Sequence, residues 1–235
     1  MKKTAIFRPA TGVGAVIAMA LLMTCLNAGA LPLVLNFGPN TGSSIQFNGN
    51  QDSFNFNSGT DGYQWYITSE TGGTGSAVNL NGSVLNGPFS YGPITSSGVG
   101  LSQIQSATVL GPLGTLVINN APLDNLTGTV NWIDISTFYV VGGFLNAAVN
   151  VNLSNISYTG PNPDLQTLVA DQPGTLDVSF QFTPGENLTS LSTGTGPYTT
   201  SYSGSVSVTP VPEPATLALA GLGGLSVLLF RRQRK

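Results

Sequence analysis

Between residues 31 and 210 the chain repeatedly places an apolar side chain at every second position. Residues 176–182 show this most clearly, because Leu, Val and two Phe alternate there with Asp, Ser and Gln. Residues 149–153 and 198–208 share the pattern, and Asn, Ser and Thr fill most of their polar positions. A period of two is typical of a strand with one buried and one solvated face, and no segment here has a convincing helical period. The sequence therefore predicts an all-β body.

Turn-forming residues divide this body into short segments. The chain contains 30 Gly and 15 Pro, and Gly-Pro or Pro-Gly pairs separate the alternating segments. Asn81-Gly82 predicts a tight hairpin turn, because both residues tolerate a positive φ. About ten short strands joined by turns predict a single β-sandwich or jelly-roll-like domain over residues 31–210. The 11 Phe, 7 Tyr and 2 Trp of the chain favour an ordered core over a disordered, low-complexity segment.

The basic residues lie only at the two ends of the chain. All 7 Lys and Arg are found before Pro9 or after Phe230, the 10 Asp and Glu lie between them, and there is no His. Without these side chains the body lacks His-dependent nucleophilic catalysis, Schiff-base chemistry, phosphate clamps and His-based zinc or copper sites. A surface without cations also repels nucleic acid, so no nucleic-acid partner is expected. Carboxylate chemistry is the enzymatic chemistry that remains.

Residues 1–30 have the pattern of a secretory signal peptide. Three basic residues precede an apolar run at residues 13–23, and Ala28 and Ala30 are the small residues that signal peptidase reads. We expect cleavage after Ala30. An uncleaved anchor is disfavoured because the run is short for a membrane span. A lipoprotein modified at Cys25 is disfavoured because the residue before the cysteine is Thr.

The last part of the chain, residues 211–235, contains three features in sequence. A proline-rich motif is formed by Val211, Pro212, Glu213 and Pro214. An apolar run at residues 215–230 follows, and then a basic cluster formed by Arg231, Arg232, Arg234 and Lys235. The run predicts a short transmembrane helix, and the cluster places its end in the cytoplasm and the body outside. The two prolines keep the motif extended at the membrane surface, because proline restricts φ and lacks an N–H.

These three features resemble the sorting signal of the PEP-CTERM proteins of Gram-negative bacteria, over about the last 25 residues. The resemblance implies that an exosortase recognises residues 211–214 and removes the anchor. It also implies an exported protein that is anchored transiently and then located at the cell surface or outside the cell. A role in the exopolysaccharide or biofilm matrix is implied as well. Exosortase and signal peptidase are thus the expected processing partners.

Several residues of the body are candidates for sugar binding. Trp65 and Trp132, with Tyr63 and Tyr66, contain the aromatic rings that stack on sugar rings in carbohydrate-binding proteins. Tyr63 and Trp65 face one side of an alternating strand and Tyr66 the other, so at least one set is expected in the core. Core packing is the favoured interpretation, because large aromatic side chains are mostly buried.

The acidic residues give two weaker candidate sites. A pair of glycosidase carboxylates is conceivable among Glu70, Asp134 and Glu186. Calcium ligands are conceivable at Asp52, Asn55, Asn57 and Asp61, although no EF-hand loop is present. Solvated loop residues are the favoured interpretation for these acids. No metal and no cofactor is therefore expected.

The sequence predicts an exported, non-enzymatic surface or extracellular-matrix protein. A carbohydrate-binding module is the main alternative, and a glycosidase that uses only carboxylates is a distant one. Sheet edges are commonly protected by Lys, and this body contains none. We therefore also expect self-association or association with a polysaccharide.

Overall fold

The alternating segments of the sequence form strands of two connected sheets. The computed structural model describes residues 31–99, 102–120, 124–140 and 143–210. The strands within these residues are β1 (Leu33–Pro39), β2 (Ser44–Phe47), β3 (Ser53–Asn57), β4 (Trp65–Thr71), β5 (Asn81–Leu85), β6 (Phe89–Tyr91), β7 (Thr95–Ser97), β8 (Ile104–Gly111), β9 (Gly114–Asn119), β10 (Asn125–Val140), β11 (Gly143–Ser157), β12 (Gly174–Phe180), β13 (Tyr198–Thr200) and β14 (Tyr202–Val208).

Eight antiparallel strands close into a ring. Their order is β1-β4-β5-β9-β10-β11-β12-β14, and β14 pairs again with β1. The long strands β10 and β11 complete the closure, with Val130 opposite Leu153. Every strand of the ring therefore has a neighbour on both sides, which satisfies backbone groups that an open edge would expose.

A second sheet branches from the ring at β10. The first half of β10 pairs with β9, where Val130 lies opposite Gly114. Its second half pairs with β8, where Ile135 lies opposite Ala107. From β8 the second sheet continues in the order β6-β3-β2-β13, and β7 pairs with β8 separately. The length of β10 thus allows one strand to belong to both sheets.

Aromatic side chains fill the space between the ring and the second sheet. The ring centroid of Phe47 in β2 lies 5.2 Å from that of Phe180 in β12. Phe56 in β3 lies 5.1 Å from Tyr202 in β14, in an edge-on arrangement. All four side chains are buried. Because burial of one such side chain contributes about 1.5–3 kcal/mol, these contacts hold the two sheets together without a disulfide.

The all-β expectation is confirmed, but the sandwich or jelly-roll arrangement is not. The closed ring with its attached sheet is a different connection of the strands. The segment at residues 198–208 illustrates the difference, because it divides between the two sheets. Tyr198–Thr200 pairs with β2 in the second sheet, whereas Tyr202–Val208 pairs with β1 and β12 in the ring.

The predicted hairpin turn at Asn81-Gly82 is wrong. Both residues lie inside β5, and Asn79 is the nearby residue with a positive φ, 70°. Gly82 is opposite Trp65 in β4, and a Cβ at Gly82 would overlap the indole ring. Glycine is therefore required here by the close approach of an aromatic side chain, not by a turn.

Two short helices were not predicted from the sequence. The first, α1 (Pro163–Ala170), begins after Asn162, whose side chain accepts hydrogen bonds from the N–H groups of Asp164 and Leu165. The second, α2 (Leu188–Thr193), begins with a capping box at Asn187. Each helix is too short to show a helical period. The asparagine before its first residue is the feature of the sequence that indicates where the helix begins.

The predicted signal peptide at residues 1–30 and the predicted anchor at residues 211–235 lie outside the described residues. Within the described part of the chain, no helix has the length and apolar character needed to cross a membrane. The described residues from Pro32 to Pro210 belong to one compact unit by their internal contacts.

Candidate functional site

Both tryptophans proposed for sugar stacking lie in the core. Trp65 is 1% exposed and stacks on Phe37, with ring centroids 4.6 Å apart. Trp132 is 8% exposed and packs against Phe89 at 4.6 Å. A buried indole has no ring face open to a sugar, which corrects the stacking interpretation and agrees with core packing. Tyr66 is 37% exposed on the outer side of β4.

The three acids considered as glycosidase residues lie on separate elements. Glu70 is in β4, Asp134 is in the half of β10 that pairs with β8, and Glu186 precedes α2. The structure instead brings Glu70 together with Asp164, which the sequence did not single out. Their carboxyl groups lie next to each other beside Gly73, whereas glycosidase carboxylates are at least about 5 Å apart. The pair therefore has no room for a glycosidic bond.

The four residues considered as calcium ligands have separate roles. Asp52 accepts a hydrogen bond from the Ser192 hydroxyl, and Asp61 accepts one from the N–H of Tyr63. Asn55 and Asn57 are hydrogen-bonded to each other. In the described residues, no three His, Cys, Asp or Glu side chains form a group that could hold a metal ion.

Asp164 is a buried carboxylate that holds the loop after β4. It is 1% exposed at the start of α1. Its oxygens accept hydrogen bonds from the N–H groups of Thr74 and Ser76, at 2.8 and 2.7 Å, and from both hydroxyl groups. The N–H of Ala77 donates at 3.2 Å. These donors stabilise the negative charge without a cation, and the same hydrogen bonds attach the loop after β4 to the start of α1.

The two carboxyl groups of this cluster titrate in opposite directions. Burial raises the pKa of Glu70, a hydrogen bond from Gly75 opposes that change, and the adjacent Asp164 raises the pKa further. Burial also acts to raise the pKa of Asp164, but the hydrogen bonds from Ser76 and Thr74 outweigh it and hold this pKa at about 2. Asp164 is therefore the ionised member of the pair, and Glu70 keeps its proton to higher pH.

The outer face of β2 and β3 carries a set of neutral polar side chains that we call the amide array. Ile45, Phe47, Phe54 and Phe56 point into the core, so the alternate residues point outward. The array consists of Ser44, Gln46, Asn55 and Asn57 on this face, together with Asn48 just after β2 and the buried Ser53, which accepts a hydrogen bond from Asn48.

Four amides of the array form a closed cycle of hydrogen bonds. Gln46 donates to Asn48 at 2.8 Å, and Asn48 donates to Asn55 at 3.3 Å. Asn55 donates to Asn57 at 2.7 Å, and Asn57 donates back to Gln46 at 3.0 Å. Hydrogen bonds linked in this way polarise one another and fix the orientation of each amide plane. The array is therefore ordered before any ligand arrives.

A groove of about 440 Å³ lies between the amide array and the end of β5. It forms because β4 pairs with β5 only as far as Gly82, and β6 pairs with β3 only as far as Phe54. The Gln64 side chain replaces the missing strand contacts. It donates to the carbonyls of Phe56 and Val84, both at 3.2 Å, and accepts from the Val84 N–H at 2.6 Å.

The groove has polar and apolar lining and carries no charged side chain. It is lined by Asn48, Asn55, Phe56, Gln64, Val84, Leu85, Asn86, Gly87 and Pro88. Leu85 is 47% exposed, and Asn86 donates to the Thr115 hydroxyl at 3.0 Å. The alternation of apolar and polar residues at 44–48 and 53–57 could have indicated the amide array from the sequence. No local sequence pattern indicated the separation of β3 from β5 that forms the groove.

Comparison with known proteins identifies the C-terminal segment. Residues 210–235 match the family described as the PEP-CTERM protein-sorting motif. No curated protein and no solved structure matches the chain. The motif implies a protein that is exported, anchored in the membrane before cleavage and sorted by an exosortase to the surface or the extracellular space. The motif residues themselves lie outside the described part of the chain.

Proposed function

We propose that this protein is an exported, non-enzymatic component of the cell surface or extracellular matrix, associated with exopolysaccharide or a biofilm. The observation that carries this proposal is the PEP-CTERM match at residues 210–235, at the end of a body that contains no Lys, Arg or His. In this proposal signal peptidase cleaves after Ala30, and the apolar run at residues 215–230 is the temporary transmembrane anchor.

Two properties of the described body support a structural role. Its buried acid Asp164 holds a loop, because its carboxylate accepts hydrogen bonds from five donor groups of residues 74–77. Its shape is held by apolar packing, with no cysteine after residue 25. A body without cysteine needs no disulfide-forming environment to stay folded outside the cell.

Intact-mass analysis of the protein in the culture medium, on the cells and in the membrane fraction tests the proposal. The released or surface form should begin at Leu31 and end near residues 212–214. A variant with Pro212→Ala, Glu213→Ala and Pro214→Ala should remain in the membrane with Lys235 present, because exosortase no longer recognises it.

The matched control is a variant with three substitutions in the apolar run that keep its hydropathy, such as Leu217→Ile, Leu219→Ile and Leu222→Ile. It should be processed as the original protein is. Recovery of the original protein from the medium with Lys235 still attached would contradict sorting by exosortase.

A carbohydrate-binding module is the second candidate function. The buried tryptophans do not favour it, but the groove beside the amide array does, because amide side chains are well suited to bind hydroxyl groups. Self-association remains a separate proposal, and sedimentation of the purified protein at several salt concentrations tests it. A strict monomer at high concentration and high salt would contradict it.

A further inference from the structure

The groove beside the amide array lacks charge of either sign. Its polar lining consists of the amides of Asn48, Asn55, Gln64 and Asn86. The sequence has no basic residue between residues 9 and 230 that would approach it to pair with an anion. A ligand with charged groups would lose their hydration here and gain no counter-charge. The lining therefore matches a neutral ligand.

The amides retain donors and acceptors for such a ligand. A carboxamide has two N–H groups and two lone pairs. Asn55 uses one N–H to donate to Asn57 and one lone pair to accept from Asn48. Its second N–H and second lone pair are left for a ligand. A hydroxyl group both donates and accepts, so neighbouring hydroxyl groups match this arrangement.

The groove also supplies apolar contact. Leu85 and Pro88 are exposed in its lining, and Phe56 forms part of the same lining. A sugar ring has hydroxyl groups at its edge and C–H groups on its faces. The lining can therefore contact both parts of the ring at once.

We propose that this groove binds a neutral, polyhydroxylated chain, that is, a segment of uncharged polysaccharide. Asn55 and Asn86 contact its hydroxyl groups, the hydrogen-bonded cycle of the amide array holds Asn55 in place, and Leu85 and Pro88 contact the ring faces. The proposal rests on the proposed function only for the location in which the protein meets a polysaccharide.

Binding is tested with the full chain, made in cells and purified in detergent, so that the result does not depend on export. The probes are dextran, mannan and galactan, which are neutral, and alginate, which is acidic. Affinity is measured by isothermal titration calorimetry. At least one neutral probe should bind, and alginate should not.

Two variants remove the proposed contacts. Asn86→Gly removes an exposed amide, and glycine tolerates the φ of 73° at this position. Asn55→Ala removes the amide from the cycle. Each should weaken binding of the neutral probe about tenfold, as expected for the loss of one or two hydrogen bonds. Unfolding measured by circular dichroism should show that both variants remain folded.

Asn36→Ala is the matched control. Asn36 also points outward from a strand and also donates to one side chain, Ser69, but it lies at a different groove, on the ring. Its substitution should leave affinity unchanged. Four results would each overturn the proposal. Two concern the variants: loss of binding in Asn36→Ala alone, or folded Asn55 and Asn86 variants that bind as tightly as the original protein. Two concern the probes: tighter binding of alginate than of the neutral probes, or no binding of any neutral probe. None of these results would alter the masses that test sorting.

Discussion

At the scale of single residues, Asp164 shows how this body accommodates a buried charge without cations. A buried carboxylate usually has a Lys or Arg partner, and residues 31–210 contain neither. Asp164 instead accepts hydrogen bonds from Thr74, Ser76 and Ala77, and its neighbour Glu70 has a raised pKa. Repulsion between the two adjacent carboxylates contributes to this shift, because protonation of Glu70 removes it. For Asp164, hydrogen-bond donors take the place of the cation that residues 31–210 lack.

This arrangement predicts the pH dependence of stability. Because the folded-state pKa of Glu70 is raised, its contribution is fully present below its ordinary value of 4.5 and is lost as the pH rises through the folded value. Asp164 has the opposite sign, so its contribution is lost as the pH falls from 3.8 towards about 2. Glu70→Gln mimics the protonated form and should be more stable than the original protein at neutral pH, as measured by urea unfolding.

Glu186→Gln provides the comparison, because it removes the same charge outside the pair. It should keep the loss of stability that begins as the pH rises above 4.5 and that Glu70→Gln abolishes. Identical pH profiles for the original protein and Glu70→Gln would show that folding does not raise the pKa of Glu70.

At the scale of elements, the strand between β4 and β9 depends on a single glycine. Gly82 in β5 lies under the indole of Trp65, and a Cβ there would overlap the ring. Gly82→Ala should therefore lower the free energy of unfolding by about 1–3 kcal/mol, the usual cost of overpacking a core. Urea unfolding measures this change.

Gly92→Ala is the control for the loss of glycine itself. A Cβ at Gly92 would lie 3.5 Å from the Leu110 side chain, which is an ordinary contact. This variant should differ from the original protein by less than about 0.5 kcal/mol. Equal stability of both variants would contradict the close packing of Trp65 on β5.

Local sequence patterns predicted where the strands lie in the chain better than they predicted which strands pair with each other. Residues 176–182 alternate regularly, and β12 occupies most of them, Gly174–Phe180. Nothing in residues 198–208 indicated that Tyr198–Thr200 and Tyr202–Val208 join different sheets, because pairing depends on distant strands. Asp164 was missed for the same reason, since its partners are about 90 positions away in the sequence.

For the molecule as a whole, the basic residues and the folded body occupy different parts of the sequence. The basic residues occur only before Pro9 and after Phe230, in the two segments that we predict to direct export and sorting. The body folds with apolar packing and neutral hydrogen bonds. The amide array follows the same rule, because Asn and Gln supply donors and acceptors without adding charge. The groove is therefore neutral because the body uses Asn and Gln, and no Lys, Arg or His, for its polar contacts.

This composition also predicts the response to salt. Because residues 31–210 contain no basic side chain, no ion pair between their side chains can form, and screening can only reduce the repulsion among carboxylates. Raising NaCl from about 10 mM to about 150 mM should increase the free energy of unfolding by a few tenths of a kcal/mol up to about 1 kcal/mol. Glu186→Lys should show a smaller increase, because it removes one negative charge and adds a positive one. A decrease in the stability of the original protein with added NaCl would mean that attractive charge pairs, absent from residues 31–210, contribute to its folding.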